Sequence, residues 1–198
     1  MAQRTSANLQ SGLRKGLGTG LKAVAAAVDL VRAPAPGVTV LIYHRVGRRA
    51  AVEMDLEAAV FDEQMAELAA SGRAVDLDTA LAVLDGTAAR PALDPVVVTF
   101  DDGTADFAEV AVPILERHGV PATMYLATAF LDEGRAFPHD GTPMSWAAAR
   151  DAAASGVVTY GSHTHTHALL DRLPDAAVAD ELDRSRSEEH TSELQSPD

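Results

Sequence analysis

Apolar residues along the chain fall into short unbroken runs that alternate with segments of helical period. The run Val38-Thr39-Val40-Leu41-Ile42-Tyr43 predicts a buried strand ending at His44. Downstream, Phe61, Met65, Leu68 and Ala69 recur at i, i+4, i+7 and i+8 on one helical face, and Gly72 supplies a left-handed stop. A second, short helix is expected from Asp78 to Leu84, capped by Asp78. Pro95-Val96-Val97-Val98-Thr99-Phe100 is a continuous β-branched run, expected of a central strand covered on both faces, and it stops abruptly at Asp101-Asp102-Gly103.

A helix is then predicted from about Ala105 to His118. Pro113 should bend or interrupt it, because proline removes an amide donor and its ring clashes one turn back. Val120 to Leu126 reads as the next strand, Ser145 to Ser155 as a helix capped by Ser145 and ended by Gly156, and Val157 to Tyr160 as a further strand. Strands and helices alternating at this spacing predict an α/β domain with a parallel sheet, open or closed into a barrel. Ligands in such folds bind beyond the carboxyl ends of the strands, so Asp101-Asp102 and the later histidines are expected at one rim.

At 198 residues, 47% of them hydrophobic, the chain can bury one sizeable core but not two full domains. It has no cysteine, which removes disulfides, thiolate metal sites and cysteine nucleophiles together, so any metal must sit on His, Asp or Glu. A formal charge of −13 argues against a nucleic-acid binder that relies on counterion release. The charge is uneven: residues 1–35 carry Arg4, Arg14, Lys15, Lys22 and Arg32 against Asp29 alone, and read as a basic N-terminal extension to a domain over residues 36–185. Within it, Lys22 and Asp29 interrupt the apolar stretch and Pro36 would directly follow a cut at Ala33-Pro34-Ala35, so no convincing export signal is present. No apolar run approaches the roughly 20 residues a membrane span requires.

Residues 186–198 hold one large apolar residue, Leu194, and no strand or helical periodicity, which predicts a solvated tail. Arg186 to Ser196 also resembles the reading-frame translation of a widely used short-read sequencing adapter. The segment is therefore expected to be non-native, with the native sequence departing at about Ser185.

Two segments carry chemistry. Asp101 and Asp102 follow a strand and precede Gly103, which permits a turn that a side-chain-bearing residue resists. Adjacent carboxylates there can divide the work, one ligating a metal and the other accepting a proton from water, kept ionised by the nearby cation. The bland reading is an Asp-Gly turn with a helix cap. The second segment, Gly161-Ser162-His163-Thr164-His165-Thr166-His167, places three histidines within five residues. His163 and His167 can face the same way on a helical turn or tight loop, whereas on an extended segment all three would share a face, so spacing alone does not select the ligands. Two histidines and a carboxylate with open positions suit a hydrolytic divalent metal, with Zn2+ favoured by imidazole and Mn2+, Co2+ or Ni2+ as alternatives.

Val98-Thr99-Phe100-Asp101-Asp102-Gly103 and His163-Thr164-His165-Thr166-His167 resemble the first two motifs of the polysaccharide deacetylases, carbohydrate esterase family four. The stretches Leu41 to Val46 and Ser145-Trp146 through Gly161 are similar to family members as well, so the likeness spans about residues 38–185. The resemblance implies a distorted (β/α) barrel of seven strands, of which this chain would hold the first part. It further implies Asp101 as catalytic base, Asp102, His163 and His167 as metal ligands, and a Ser/Thr of the second motif as the residue steadying the loop. The implied substrate is an acetylated polysaccharide of the N-acetylglucosamine type, and the implied location is the cell surface or outside the cell. The family's later motifs, which supply an oxyanion amide and a general-acid histidine, have no counterpart here, and His190 lies in the adapter-like segment. The chain is therefore expected to bind metal weakly and to turn over poorly or not at all, and the alternative reading is a catalytically incomplete glycan-binding or non-functional fragment. Of the remaining candidates, His44 near the rim reads as a structural histidine, Trp146 as core packing, and His118 as a partner of its helix dipole.

Overall fold

The computed structural model describes residues 36–190. In chain order these form β1 (Thr39–Tyr43), β2 (Arg45–Val46), β3 (Asp55–Leu56), α1 (Ala58–Ser71), α2 (Leu77–Asp85) and β4 (Val96–Phe100). A π-helical turn (Phe107–Ala111) leads into α3 (Val112–His118), followed by β5 (Ala122–Leu126), α4 (Thr128–Glu133), α5 (Trp146–Ala154), β6 (Val158–Ser162) and α6 (Asp175–His190). β1, β4, β5 and β6 make one sheet in the order β1-β4-β5-β6, every pair parallel. The predicted α/β class is therefore observed, with four strands in an open parallel sheet. Among the described residues no helix is long and apolar enough to cross a membrane.

β4 is central and all five of its residues are buried, as its β-branched run requires. Phe100 pairs in register with Tyr43 on one side and Met124 on the other. Below the strand ends an aromatic cluster fills the core: Phe100 lies 4.8 Å from Phe107, 5.3 Å from Tyr43 and 5.6 Å from Phe61, ring centre to ring centre. The predicted face of α1 is the buried one, through Phe61, Met65 and Leu68, and Gly72 closes that helix at φ 65°. α3 is pinned to α1 where His118 Nε2 meets Asp62 Oδ1 at 2.7 Å.

Several expectations need correction. β1 is not fully buried, because it lies at the sheet edge and leaves Val40 and Ile42 exposed. The cap of α2 is Asp76, not Asp78: its Oδ1 accepts from the Thr79 amide at 2.7 Å and its Oδ2 from the Thr79 hydroxyl at 2.9 Å, so the helix starts at Leu77. The irregularity in the helix through Pro113 sits upstream of the proline. The preceding π-helical turn, closed by the Val112 amide on the Phe107 carbonyl, accommodates the ring, and Pro113 falls in the first turn of α3. β6 runs on to Ser162, and β2, β3 and α4 carry no strong local pattern. Residues 186–190 are not an irregular tail but the last turn and more of α6. The expectations for residues 1–35 and 191–198 lie outside the described residues.

Candidate metal centre

Asp101 extends the sheet by one more bond, its amide donating to the Tyr43 carbonyl at 3.0 Å, and the chain then reverses. Asp102 has φ 79° and Gly103 φ 99°. A Cβ on Gly103 would stand 2.8 Å from Leu126 Cδ2, so both the backbone conformation and the space select glycine at that turn. The reversal leaves the two carboxylates at the carboxyl-end rim with different surroundings. Asp102 turns toward the histidine loop, whereas Asp101 Oδ2 lies 3.7 Å from His44 Nε2.

The histidine loop begins where β6 ends. The His163 amide donates to the Leu126 carbonyl at 2.9 Å, which ties the start of the loop to β5. Thr164 (φ 64°) and His167 (φ 60°) are both left-handed, and this double reversal folds the loop so that the two histidines face each other. His163 Nε2 and His167 Nε2 are 3.1 Å apart and stand 3.7 and 3.4 Å from Asp102 Oδ1. His165 turns the other way: it is 4% exposed, with Nδ1 2.9 Å from the hydroxyl of Thr128. Of the three histidines, the structure brings His163 and His167 together beside Asp102 and turns His165 away.

Asp102, His163 and His167 are a candidate metal site, with one ligand atom from each lying within 4.8 Å of the others. Donors about 2.0–2.1 Å from a tetrahedral ion lie about 3.3–3.4 Å from one another, and the three separations observed here bracket that value. Two imidazole nitrogens at 3.1 Å can share one proton or one cation but cannot both be protonated without repulsion. The pKa of His163 is lowered, chiefly by burial, with the positive charge of a protonated His167 adding to the effect and Asp101 opposing it. The shift favours the neutral form of His163, the form that ligates.

One further residue holds the loop, and it did not stand out in the sequence. Glu181 on α6 accepts from the amides of His165 (3.0 Å) and Thr166 (2.8 Å) and from the Thr166 hydroxyl (2.6 Å). Desolvation raises its pKa, but these hydrogen bonds outweigh it and hold the carboxyl below its ordinary value. Of the two threonines in the loop, Thr166 makes the side-chain bond to Glu181, while the buried Thr164 hydroxyl has no hydrogen-bond partner. Trp146 packs partly buried against the core and donates from Nε1 to Asp132 Oδ1 at 2.8 Å. A cavity of about 150 Å³ opens beside Asp102 and His167, walled by Val52, Met54, Phe137 and Pro138. A larger cleft of about 420 Å³ at Arg45, Arg49 and Asp106 touches none of the three ligands.

A family model described as polysaccharide deacetylase matches residues 89–191, a span that holds both Asp101-Asp102 and the histidine loop. Among solved structures, IcaB from Ammonifex degensii is similar at 25% identity and a TM-score of 0.65, over 78% of this chain and 70% of that one. A polysaccharide deacetylase from Bacillus cereus aligns at 25% identity and a TM-score of 0.62, over 81% of this chain but 48% of its own. The Streptococcus pyogenes deacetylase PplD, in complex with acetate, shares the fold at 21% identity and a TM-score of 0.68, over 79% of this chain and 69% of that one. A comparison with curated proteins found no match.

Proposed function

We propose, because this chain belongs to the polysaccharide deacetylase family, that its deacetylation of an N-acetylated glycan takes place at the rim where Asp101 stands beside Asp102, His163 and His167. The observation that carries this placement is the convergence of three ligand atoms beside a second carboxylate that is not one of them. The donor set, two imidazoles and one carboxylate with open positions, fits a divalent cation, and Zn2+ is the ion we favour over Mn2+, Co2+ or Ni2+. Such an ion supplies Lewis-acid polarisation of the acetyl carbonyl and acidifies water at the site.

The protein's own groups then have distinct tasks. Asp102, His163 and His167 hold the charge at the rim. Asp101, held off that cluster, accepts the proton of the water whose oxygen bonds to the carbonyl carbon. The carbon–nitrogen bond breaks, the nitrogen takes up the proton that Asp101 received, and the products are acetate and a glycan amine. The cavity walled by Val52, Met54, Phe137 and Pro138 offers an apolar surface to the substrate next to the ligands.

Asp101→Asn tests the assignment, since it keeps the side chain's size and removes its basicity. Acetate release from an acetylated chitooligosaccharide, followed through slow turnovers, is expected to fall by about 10²–10⁴-fold. Cation affinity, measured by competitive titration, should stay within a few-fold of the unaltered chain. Undiminished turnover in this variant would remove Asp101 from the reaction.

A further inference from the structure

The loop that presents the histidines is held in a conformation that its own sequence does not favour. Thr164 and His167 both occupy the left-handed region, and neither is glycine. Residues so placed persist only where the surroundings over-determine them. The constraint comes largely from one face of α6. Glu181 receives three hydrogen bonds, two of them from the consecutive amides of His165 and Thr166 on a single carboxylate oxygen. One turn later Ser185, fully buried, accepts from the hydroxyl of Ser162 at 2.7 Å, and Ser162 Oγ in turn accepts from the Thr164 amide at 3.3 Å. The helix thus grips the loop at both ends, at the residues flanking His163 and at those leading into His167, without touching a ligand atom.

We infer that Glu181, seconded by Ser185, is a positioning residue that sets the separation of His163 and His167 and so the affinity of the centre for its cation. This inference rests on the reading of Asp102, His163 and His167 as ligands. A carboxylate suits the task better than an amide. Both of its oxygens accept, whereas a glutamine would turn an NH2 donor toward either the two backbone amides or the Thr166 hydroxyl.

The test compares the full chain with Glu181→Gln, Glu181→Asp and Thr166→Val, using Co2+ as a spectroscopic probe. Glu181→Gln is expected to weaken Co2+ binding by about 10–100-fold, the range seen when groups that orient ligands are lost. Its Co2+ absorption bands should move, and a shift of this kind would not follow from lowered stability alone. In the metal-free protein, exchange of the Thr166 amide hydrogen should be at least about 10-fold faster in this variant, since local opening controls that rate. Glu181→Asp should restore part of the affinity. Thr166→Val removes only the hydroxyl bond and serves if Glu181→Gln does not fold; a weaker loss of about threefold is expected from it. Co2+ affinity, spectrum and exchange all unchanged in Glu181→Gln, or affinity unchanged in Thr166→Val, would overturn the inference. If the unaltered chain binds no Co2+, the ligand assignment fails instead, and unchanged amide exchange would separately refute the grip on the loop.

Discussion

Asp102→Asn is expected to lower divalent-cation affinity by at least about 10²-fold, beyond what the loss of an orienting neighbour costs. Asp102 is the only anionic member of the three, and its Oδ1 lies within 3.7 Å of both histidine nitrogens. Without that charge a doubly positive ion would be held by two neutral imidazoles and a weak amide oxygen. His163→Ala should act comparably by removing a nitrogen donor. Competitive titration with Zn2+ measures both, and affinity within threefold of the unaltered chain in either variant would sink the centre. The pH dependence has a definite sign: protons compete for the imidazole nitrogens, so affinity falls as the medium becomes more acidic. The pKa of His163 is already lowered, first by burial, so its contribution is lost at lower pH than that of an ordinary histidine titrating near about 6.5.

How far this centre could be read in the sequence depended on whether the deciding interactions were local. Asp101 and Asp102 were legible because a β-branched run has to end somewhere, and in a parallel sheet its carboxyl end is where ligands sit. The helix face of Phe61, Met65 and Leu68 was legible because its period matches the one face that is buried. The choice among His163, His165 and His167 was not, since it depends on left-handed backbone at Thr164 and His167, held from α6 and from Thr128. Glu181 reads locally as one more charge on a polar helix, and its partners are 15 and 16 residues away. Asp76 and Asp78 flank Leu77 and are equivalent by composition, so only the observed start of α2 tells cap from first turn. Val40 and Ile42 look like core by pattern, yet they lie on an edge strand, and strand order is not written in any single segment. The same limit applies to residues 186–190, which show no helical period of their own yet continue a helix already started at Asp175.

Phe100→Ala is expected to cost about 3–5 kcal/mol, which lowers the melting temperature by about 6–20 °C in a domain of this size. Phe100 is completely buried, and truncating it empties the space between Tyr43, Phe61 and Phe107, removing three ring contacts as well as the apolar area. The core has little freedom to collapse there, because β4 is held in register by parallel neighbours on both sides. The substitution also lies directly before Asp101 and Asp102, so a relaxed strand end should displace Asp102 relative to the histidine loop. Leu115→Ala provides the comparison: Leu115 is just as buried, but on α3 and away from the rim, and it should cost about 2–5 kcal/mol. With both variants folded, Phe100→Ala should weaken Zn2+ binding and Leu115→Ala should not. Equal affinities would mean that the turn at Asp102-Gly103 holds its shape independently of the core beneath it. A melting temperature within about 2 °C of the unaltered chain, less than 1 kcal/mol by the same conversion, would contradict the packing described for β4 itself.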